Sequence, residues 1–231
     1  MASPVGREGA IKETMFGQNP IRKPEKGDGS TLKVQEIFPT LQGEGPHTGM
    51  ESVFIRLGGC NLACDFCDTE FESFSEMSVD DILDEVEDLS EDGRKLVVIT
   101  GGEPLRQNII PLCESLLEGG YQPQIETNGT LWRELPEAVE VICSPKASNG
   151  KYHPLRDDII PRIMALKFII SKTHEPYTSV PDITQGLPIW LQPMDEYDAD
   201  KNKMNLDYAM ELAEAHGYKV SIQMHKLTGL D

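Results

Sequence analysis

Three cysteines, Cys60, Cys64 and Cys67, stand in a C-x3-C-x2-C array within the stretch GGCNLACDFCDT. Thiolates are ligands for soft metals, and three of them can hold three irons of a [4Fe-4S] cube and leave the fourth iron open. An open iron marks a cluster that acts on a bound molecule, whereas a cluster that only carries electrons is normally closed by four protein ligands. The competing arrangement is a structural zinc site completed by His47, Cys113 or Cys143. A zinc site usually shows a second paired knuckle, and this chain has none. Phe66, between Cys64 and Cys67, is placed either to shield a cluster edge or simply to pack.

The elements that must position this array follow from apolar periodicity. Leu32 to Phe38 and Glu51 to Leu57 read as strands, separated by the glycine-rich loop QGEGPHTG, Gln42 to Gly49. The cysteine loop follows the second strand at once. A helix begins at about Ser78, with Ser78 as N-cap and Asp81 at the capping-box position. Its apolar residues Val79, Ile82, Leu83, Val86 and Leu89 suit one face. Lys95 to Thr100 is a buried-type strand leading into Gly101-Gly102-Glu103-Pro104 and then a helix ending near Gly119. Further strands are expected at Pro123 to Glu126, Ala138 to Cys143, Met164 to Ile170, Leu187 to Gln192 and Tyr218 to Gln223. A last helix, Leu206 to His216, is closed by Gly217. Strands that alternate with helices or long connections predict an α/β fold with a mostly parallel sheet and helices outside. Six or seven such strands make an incomplete β/α barrel, and the polar residues fall just after the strands, where parallel sheets place their sites. Residues 1–31 read as an irregular N-terminal extension and 32–231 as a single catalytic domain.

Composition narrows the function classes. The chain has 231 residues, 39% of them apolar, enough for one sizeable core. Five cysteines, three crowded into eight positions, do not make a secreted disulfide scaffold and suit a reducing, cytoplasmic setting. No run approaches the roughly 20 apolar residues of a spanning helix, and the N-terminus lacks an apolar signal core. A formal net charge of −18 argues against nucleic-acid and membrane partners. It does not exclude an anionic small substrate, since a pocket can be locally basic. The acidic run on the helix from Ser78 to Ser90 reads as a solvated face.

The cysteine array has the form C-x3-C-x-aromatic-C, and a strand followed by GGEP stands downstream of it. Together these resemble the radical S-adenosylmethionine superfamily. Gln42-Gly43-Glu44-Gly45, Arg56, Cys67-Asp68-Thr69, Glu126-Thr127-Asn128-Gly129, Ser144-Pro145-Lys146, Gln192-Pro193 and His225-Lys226 narrow the resemblance to the 7-carboxy-7-deazaguanine synthase family, from about Leu32 onward. The resemblance implies the radical S-adenosylmethionine type of partial barrel, and a lyase acting on 6-carboxy-5,6,7,8-tetrahydropterin through a 5'-deoxyadenosyl radical. It implies a [4Fe-4S] cluster on Cys60, Cys64 and Cys67, and Mg2+ at Thr69. It assigns S-adenosylmethionine to Phe66, Asp68, Gly101, Gly102, Glu103, Glu126, Asn128, Ser144, Lys146 and Gln192, with Glu103 accepting from the methionine ammonium. It assigns the substrate to Gln42, Gly43, Glu44, Gly45, Arg56, His225, Lys226 and the last residue, Asp231. It further implies a homodimer and a flavodoxin or ferredoxin as electron donor.

On the residues alone, blander roles stay open. Gln42 and Glu44 would suit a turn, Arg56 an edge ion pair, Glu126 a strand-end carboxylate, and Ser144 and Lys146 a proline-directed loop. Cys113 and Cys143 read as small buried hydrophobes. The alternative activity is a radical activase working on a protein partner. Such activases often carry additional cluster cysteines, and only Cys113 and Cys143 remain, both in packed elements.

Overall fold

The computed structural model describes residues 19–64, 67, 69, 71–90, 93–183 and 186–224. In chain order the elements are β1 (Thr31–Leu41), β2 (Glu51–Leu57), β3 (Ser75–Ser78), α1 (Val79–Asp88), β4 (Leu96–Gly101), α2 (Ile110–Glu118), β5 (Gln122–Thr127), β6 (Glu140–Cys143), β7 (Ala147–Ser148), β8 (Lys151–Tyr152), β9 (Ile163–Ile170), β10 (Ile189–Pro193), α3 (Ala199–His216) and β11 (Lys219–Val220). Among the described residues one sheet of nine strands runs in the order β11-β10-β9-β6-β5-β4-β2-β1-β3, and β7 and β8 form a separate small hairpin.

Strands β2, β4, β5, β6, β9, β10 and β11 pair in parallel, each beside the next in sequence. Every crossover therefore steps in the same direction. With a common right-handed sense, such crossovers lie on one side of the sheet and leave the other face for a site. This is the expected incomplete barrel, with one addition. β1 runs antiparallel to both β2 and β3 and makes a mixed edge. β3 had no counterpart in the sequence reading, because SEMS is a short polar edge strand with no apolar alternation.

Burial follows the pattern of the sequence. Leu96, Val97, Val98 and Ile99 are all buried, as a central parallel strand covered on both faces requires. Each such aliphatic side chain contributes roughly 1.5–3 kcal/mol on burial. Helix α1 buries Val79, Ile82 and Val86, and the Ser78–Asp81 capping box forms as predicted. Helix α2 buries Leu112, Cys113 and Leu116; Cys113 and Cys143 are core residues, their thiols pushed up to about 12 by burial.

Helix α3 begins seven residues before the expected Leu206, capped by Asp198, whose carboxylate accepts from the amides of Asp200 and Lys201 at 3.0 Å each. Its early turns are too polar to show a period. Gly217 closes it with a left-handed φ of 72°. The last strand is shorter than the Tyr218 to Gln223 expected: after β11 the chain leaves the sheet and Met224 N–H reaches the Gly43 carbonyl at 3.3 Å.

The described part of the N-terminal extension is irregular and laced to the body. Arg22 N–H donates to the Cys60 carbonyl and Glu25 N–H to the Arg106 carbonyl, both at 2.7 Å. The Arg106 side chain, 2% exposed, returns a bond to the Glu25 carboxylate at 2.7 Å and another to the Gly58 carbonyl at 2.8 Å.

Candidate active site

A cavity of about 360 Å³ is lined by Cys60, Cys64, Cys67 and Thr69, by Gly101 and Gly102, and by residues from β1, β5, β9 and β10. The cysteine loop leaves the carboxyl end of β2 and is tied down by backbone. Gly59 N–H donates to the Phe71 carbonyl at 2.8 Å, Gly102 N–H to the Leu57 carbonyl at 3.2 Å, and Glu103 N–H to the Gly59 carbonyl at 3.1 Å. The approach is so close that a side chain would not fit. A Cβ on Gly102 would stand 2.3 Å from the Gly59 carbonyl oxygen, and one on Gly101, at φ 134°, would stand 2.1 Å from the Leu57 oxygen. Asn19 approaches from the N-terminal segment, its Nδ2 donating to the Thr69 carbonyl at 3.1 Å and facing Cys67 Sγ at 3.7 Å.

The opposite wall is built from side chains. The loop after β1 carries Gln42 and Glu44 across to β9 and to the residues after β11. Gly45 N–H donates to Ser221 Oγ at 2.9 Å and Gln223 Nε2 to Glu44 Oε1 at 2.9 Å. Lys167, in the middle of β9 and 6% exposed at its side chain, ion-pairs with Glu44 and with Glu126 Oε2, the latter at 2.6 Å. Gln42 Nε2 donates to Glu126 Oε1 at 3.1 Å. Burial alone would lower the Lys167 pKa, but Glu126 and Glu44 overcome it and hold the ammonium above its usual range. Nearby, burial draws the Lys146 ammonium below its usual range, with Lys167 adding to the effect. Lys146 donates to Ser144 Oγ. Arg56, on the same cavity, bonds Glu36 Oε1 at 2.6 Å and lies over the Phe38 ring at 5.7 Å.

The Radical SAM superfamily profile matches residues 54–146. The 7-carboxy-7-deazaguanine synthase of Rickettsia prowazekii is 48% identical over 225 residues, covering 94% of this chain and 96% of its own length. That of Rhodospirillum rubrum is 39% identical over 236 residues, covering 92% and 98%. The chain belongs to the 7-carboxy-7-deazaguanine synthase family. The crystal structure of QueE from Escherichia coli superposes with a TM-score of 0.68 at 26% identity, covering 84% of this chain and 94% of that one. The partial barrel is thus the radical S-adenosylmethionine fold, and the chain is a family enzyme.

The cysteines fit a cluster by donor type and placement. All three face one cavity, and none is in a disulfide. Burial pushes the Cys60 thiol up to about 12, so a metal must displace its proton on binding. Among the described residues no three His, Cys, Asp or Glu side chains converge as ligands of a single ion do; thiolates on separate corners of a cube stand farther apart. Gln192 Oε1 is buried on the cavity wall with no hydrogen-bond partner among the described residues. Such an acceptor is normally satisfied by a ligand or water.

Of the residues singled out by sequence, Gln42, Gly43, Glu44, Arg56, Cys60, Cys64, Cys67, Thr69, Gly101, Gly102, Glu126, Asn128, Ser144, Lys146 and Gln192 all line this cavity. Two do not. Gly45 turns its backbone to Ser221. Glu103, expected to meet a methionine ammonium, faces inward. Its carboxylate accepts from Thr127 Oγ1 at 2.8 Å, Asn128 N–H at 2.8 Å and Leu105 N–H at 3.0 Å, and so braces the loop after β5. Burial pushes it up to about 6 despite these donors. Glu126, which the resemblance assigns to S-adenosylmethionine, shares Lys167 with Glu44. Phe66, Asp68, His225, Lys226 and Asp231 lie outside the described residues.

The sequence reading passed over Asn19, Thr100, Lys167, Asp195 and Gln223, which also line the cavity. Lys167 had a signal: it is the lone charge in the apolar strand IMALKFII, and an ammonium there needs buried partners. Asn19 sits in a segment without periodicity and gave none, and Gln223 closes an expected strand with nothing in its surroundings to mark it as part of a site.

Proposed function

We propose that this chain converts 6-carboxy-5,6,7,8-tetrahydropterin to 7-carboxy-7-deazaguanine and ammonia, a ring-contracting lyase step of queuosine or related deazapurine biosynthesis, in the cytoplasm. The observation that carries this reading is one cavity with the three cysteines on one side and a wall of hydrogen-bonding side chains on the other. Its volume of about 360 Å³ is that of a small-molecule site. When bound, a [4Fe-4S] cluster with an open iron, together with S-adenosylmethionine, supplies a 5'-deoxyadenosyl radical for hydrogen abstraction at C6 of the substrate.

The chain's own residues bind and orient. Cys60, Cys64 and Cys67 hold the cluster. The close-packed Gly101-Gly102 backbone, Asn128, Ser144, Lys146 and the unsatisfied Gln192 Oε1 offer polar contacts to the amino and carboxylate groups of S-adenosylmethionine. Arg56 offers the substrate carboxylate a planar cation, and the Thr69 hydroxyl a hard ligand for Mg2+ beside it. Gln42 and Glu44 meet the donor-rich edge of the pterin. Orientation of this kind places one C–H bond against the radical carbon. A homodimer served by flavodoxin or ferredoxin completes the reading.

The test is direct. Anaerobically reconstituted protein is incubated with S-adenosylmethionine, Mg2+, dithionite and carboxytetrahydropterin, and the mixture is analysed by chromatography and mass spectrometry. Formation of 7-carboxy-7-deazaguanine is expected. Protein with a full cluster that cleaves S-adenosylmethionine yet leaves the pterin unchanged would sink the reading.

A further inference from the structure

We infer that Lys167 is a positioning residue that holds Glu44 and Glu126 as paired carboxylates on the wall opposite the cysteines, forming with Gln42 the acceptor array that takes the amino and ring N–H edge of the substrate. The identity of that ligand rests on the proposed reaction; the pairing itself does not.

The geometry is specific. Three segments distant in sequence meet at one ammonium: the loop after β1, the end of β5 and the middle of β9. Each carboxylate is also fixed on its other oxygen, Glu44 Oε1 by Gln223 at 2.9 Å and Glu126 Oε1 by Gln42 at 3.1 Å. A carboxylate oxygen accepts at two lone-pair sites, so Glu126, whose Oε1 takes Gln42 and Gln124 and whose Oε2 takes Lys167, keeps capacity at Oε2 for a ligand N–H, and the directions of both side chains are set. Both line the cavity.

Charge supplies the second part of the argument. Two carboxylates that share a buried site cannot both stay ionised without a cation between them. Lys167 is that cation. Among the described residues the other charged group facing it is Lys146, which bonds Ser144 and is itself drawn down in pKa; Gln42, Gln124 and Gln223 are neutral. The Lys167 ammonium is held above its usual range, so it stays charged across the neutral region. A donor-rich heterocycle then always meets acceptors. If either carboxyl took up a proton, it would present a donor to a donor.

The same contacts shape the fold. The sheet order places β1 and β2 near one end and β9 to β11 at the other. The loop carrying Glu44 joins these ends, which strand pairing leaves apart. Lys167 is therefore where closure of the incomplete barrel and aim of the binding groups meet.

The experiment compares holoenzyme with Lys167→Met, Lys167→Arg and Lys167→Met/Glu44→Gln, each checked for cluster content and for circular dichroism. In Lys167→Met, infrared difference spectra at neutral pH are expected to show a protonated-carboxyl stretch absent from the unaltered enzyme and from the double variant. KM for the pterin is expected to rise roughly tenfold or more with kcat within about threefold. KM is also expected to depend on pH between about 6 and 8 in Lys167→Met only. Lys167→Arg should recover most of the affinity. If Lys167→Met does not fold, the unaltered enzyme still decides: a protonated Glu44 or Glu126 at neutral pH, identified by its loss in Glu44→Gln or Glu126→Gln, overturns the inference. So do an unchanged KM in Lys167→Met without a new carboxyl band, and a fall in kcat alone. Should the unaltered enzyme not turn over the pterin, the reaction is wrong, and the infrared signature still judges the pairing.

Discussion

On the cysteine side of the cavity the reactive groups are carried by backbone, and on the far side by one another. The cysteine loop and the Gly101-Gly102-Glu103 turn are laced by main-chain bonds such as Glu103 N–H to the Gly59 carbonyl, with glycines where no side chain fits. Across the cavity, Glu44, Glu126, Lys167, Gln42 and Gln223 hold each other through side-chain bonds. The difference matches the tasks. A cluster must sit at a fixed place, which a close-packed backbone guarantees. A substrate must be gripped by its hydrogen-bonding pattern, which demands side chains of defined charge. Each wall should therefore fail in its own way: damage to the first should remove the cofactor, and damage to the second should weaken or misdirect the substrate.

The largest effect is expected from Cys60→Ala, Cys64→Ala or Cys67→Ala. Each leaves too few thiolates to hold three corners of a cube, so iron and sulfide content should collapse and product should fall below detection. A variant that keeps a full cluster and normal turnover would break the comparison at its first step.

Next comes Gly102→Ala. Its Cβ would lie 2.3 Å from the Gly59 carbonyl oxygen and 2.8 Å from the Cys60 amide nitrogen, both backbone atoms that cannot swing aside. Displacing the two turns should cost on the order of 3 kcal/mol of stability. It should also lower cluster occupancy, while the carboxylate wall stays intact. Chemical denaturation and iron content measured on the same preparation check this; a stable variant with a full cluster would show that the turns are not coupled.

The same contrast explains what could be read from the chain. The cysteine wall was legible because backbone-built sites demand particular residues at fixed spacing: cysteines four and three residues apart, glycines where a Cβ is excluded, a strand immediately before each turn. Helix α1 was legible for a similar reason, since its cap and its apolar stripe are local. The far wall was legible only in part. Gln42 and Glu44 sit in a recognisable loop and Glu126 at a strand end, but what joins them is Lys167, and no local pattern says which strand will face which loop. Glu103 shows the converse: the sequence marks a carboxylate after two glycines, and only the packing of the β5 loop over it turns it inward. β3 and the first turns of α3 were missed because polar segments at an edge or on a surface carry no period.

Arg56 tests the boundary between the walls. It lines the cavity with its side chain 22% exposed and is already held by Glu36. Arg56→Leu should raise KM for the pterin by roughly 10–100-fold, the worth of a charge-assisted pair at about 1.5–3 kcal/mol, with the cluster untouched. Arg56→Lys should recover only part, since an ammonium lacks the planar fork. An Arg56→Leu enzyme with unchanged KM would mean that the Glu36 pair is its whole role and that the substrate carboxylate is met elsewhere.

The smallest effect separates the two kinds of buried carboxylate. Glu44 and Glu126 share a cation. Glu103 has hydrogen bonds instead, and its pKa is pushed up to about 6, chiefly by burial, against an ordinary value of 4.5. The folded protein therefore binds this proton more tightly than the unfolded chain. Its contribution to stability is complete below the ordinary value and is lost as pH rises through about 6. The shift corresponds to about 2 kcal/mol. Glu103→Gln keeps an acceptor for the Leu105 amide and the Thr127 hydroxyl, which share Oε1, and loses the one that met the Asn128 amide on Oε2, a cost that does not vary with pH. It has no proton to lose, so its stability relative to the unaltered protein should improve by up to that amount between about pH 4 and pH 7. Denaturant midpoints at the two pH values measure this. A constant gap would mean that the three donors offset burial fully. The cysteine wall would then tolerate an uncompensated carboxylate as well as the far wall tolerates its paired ones.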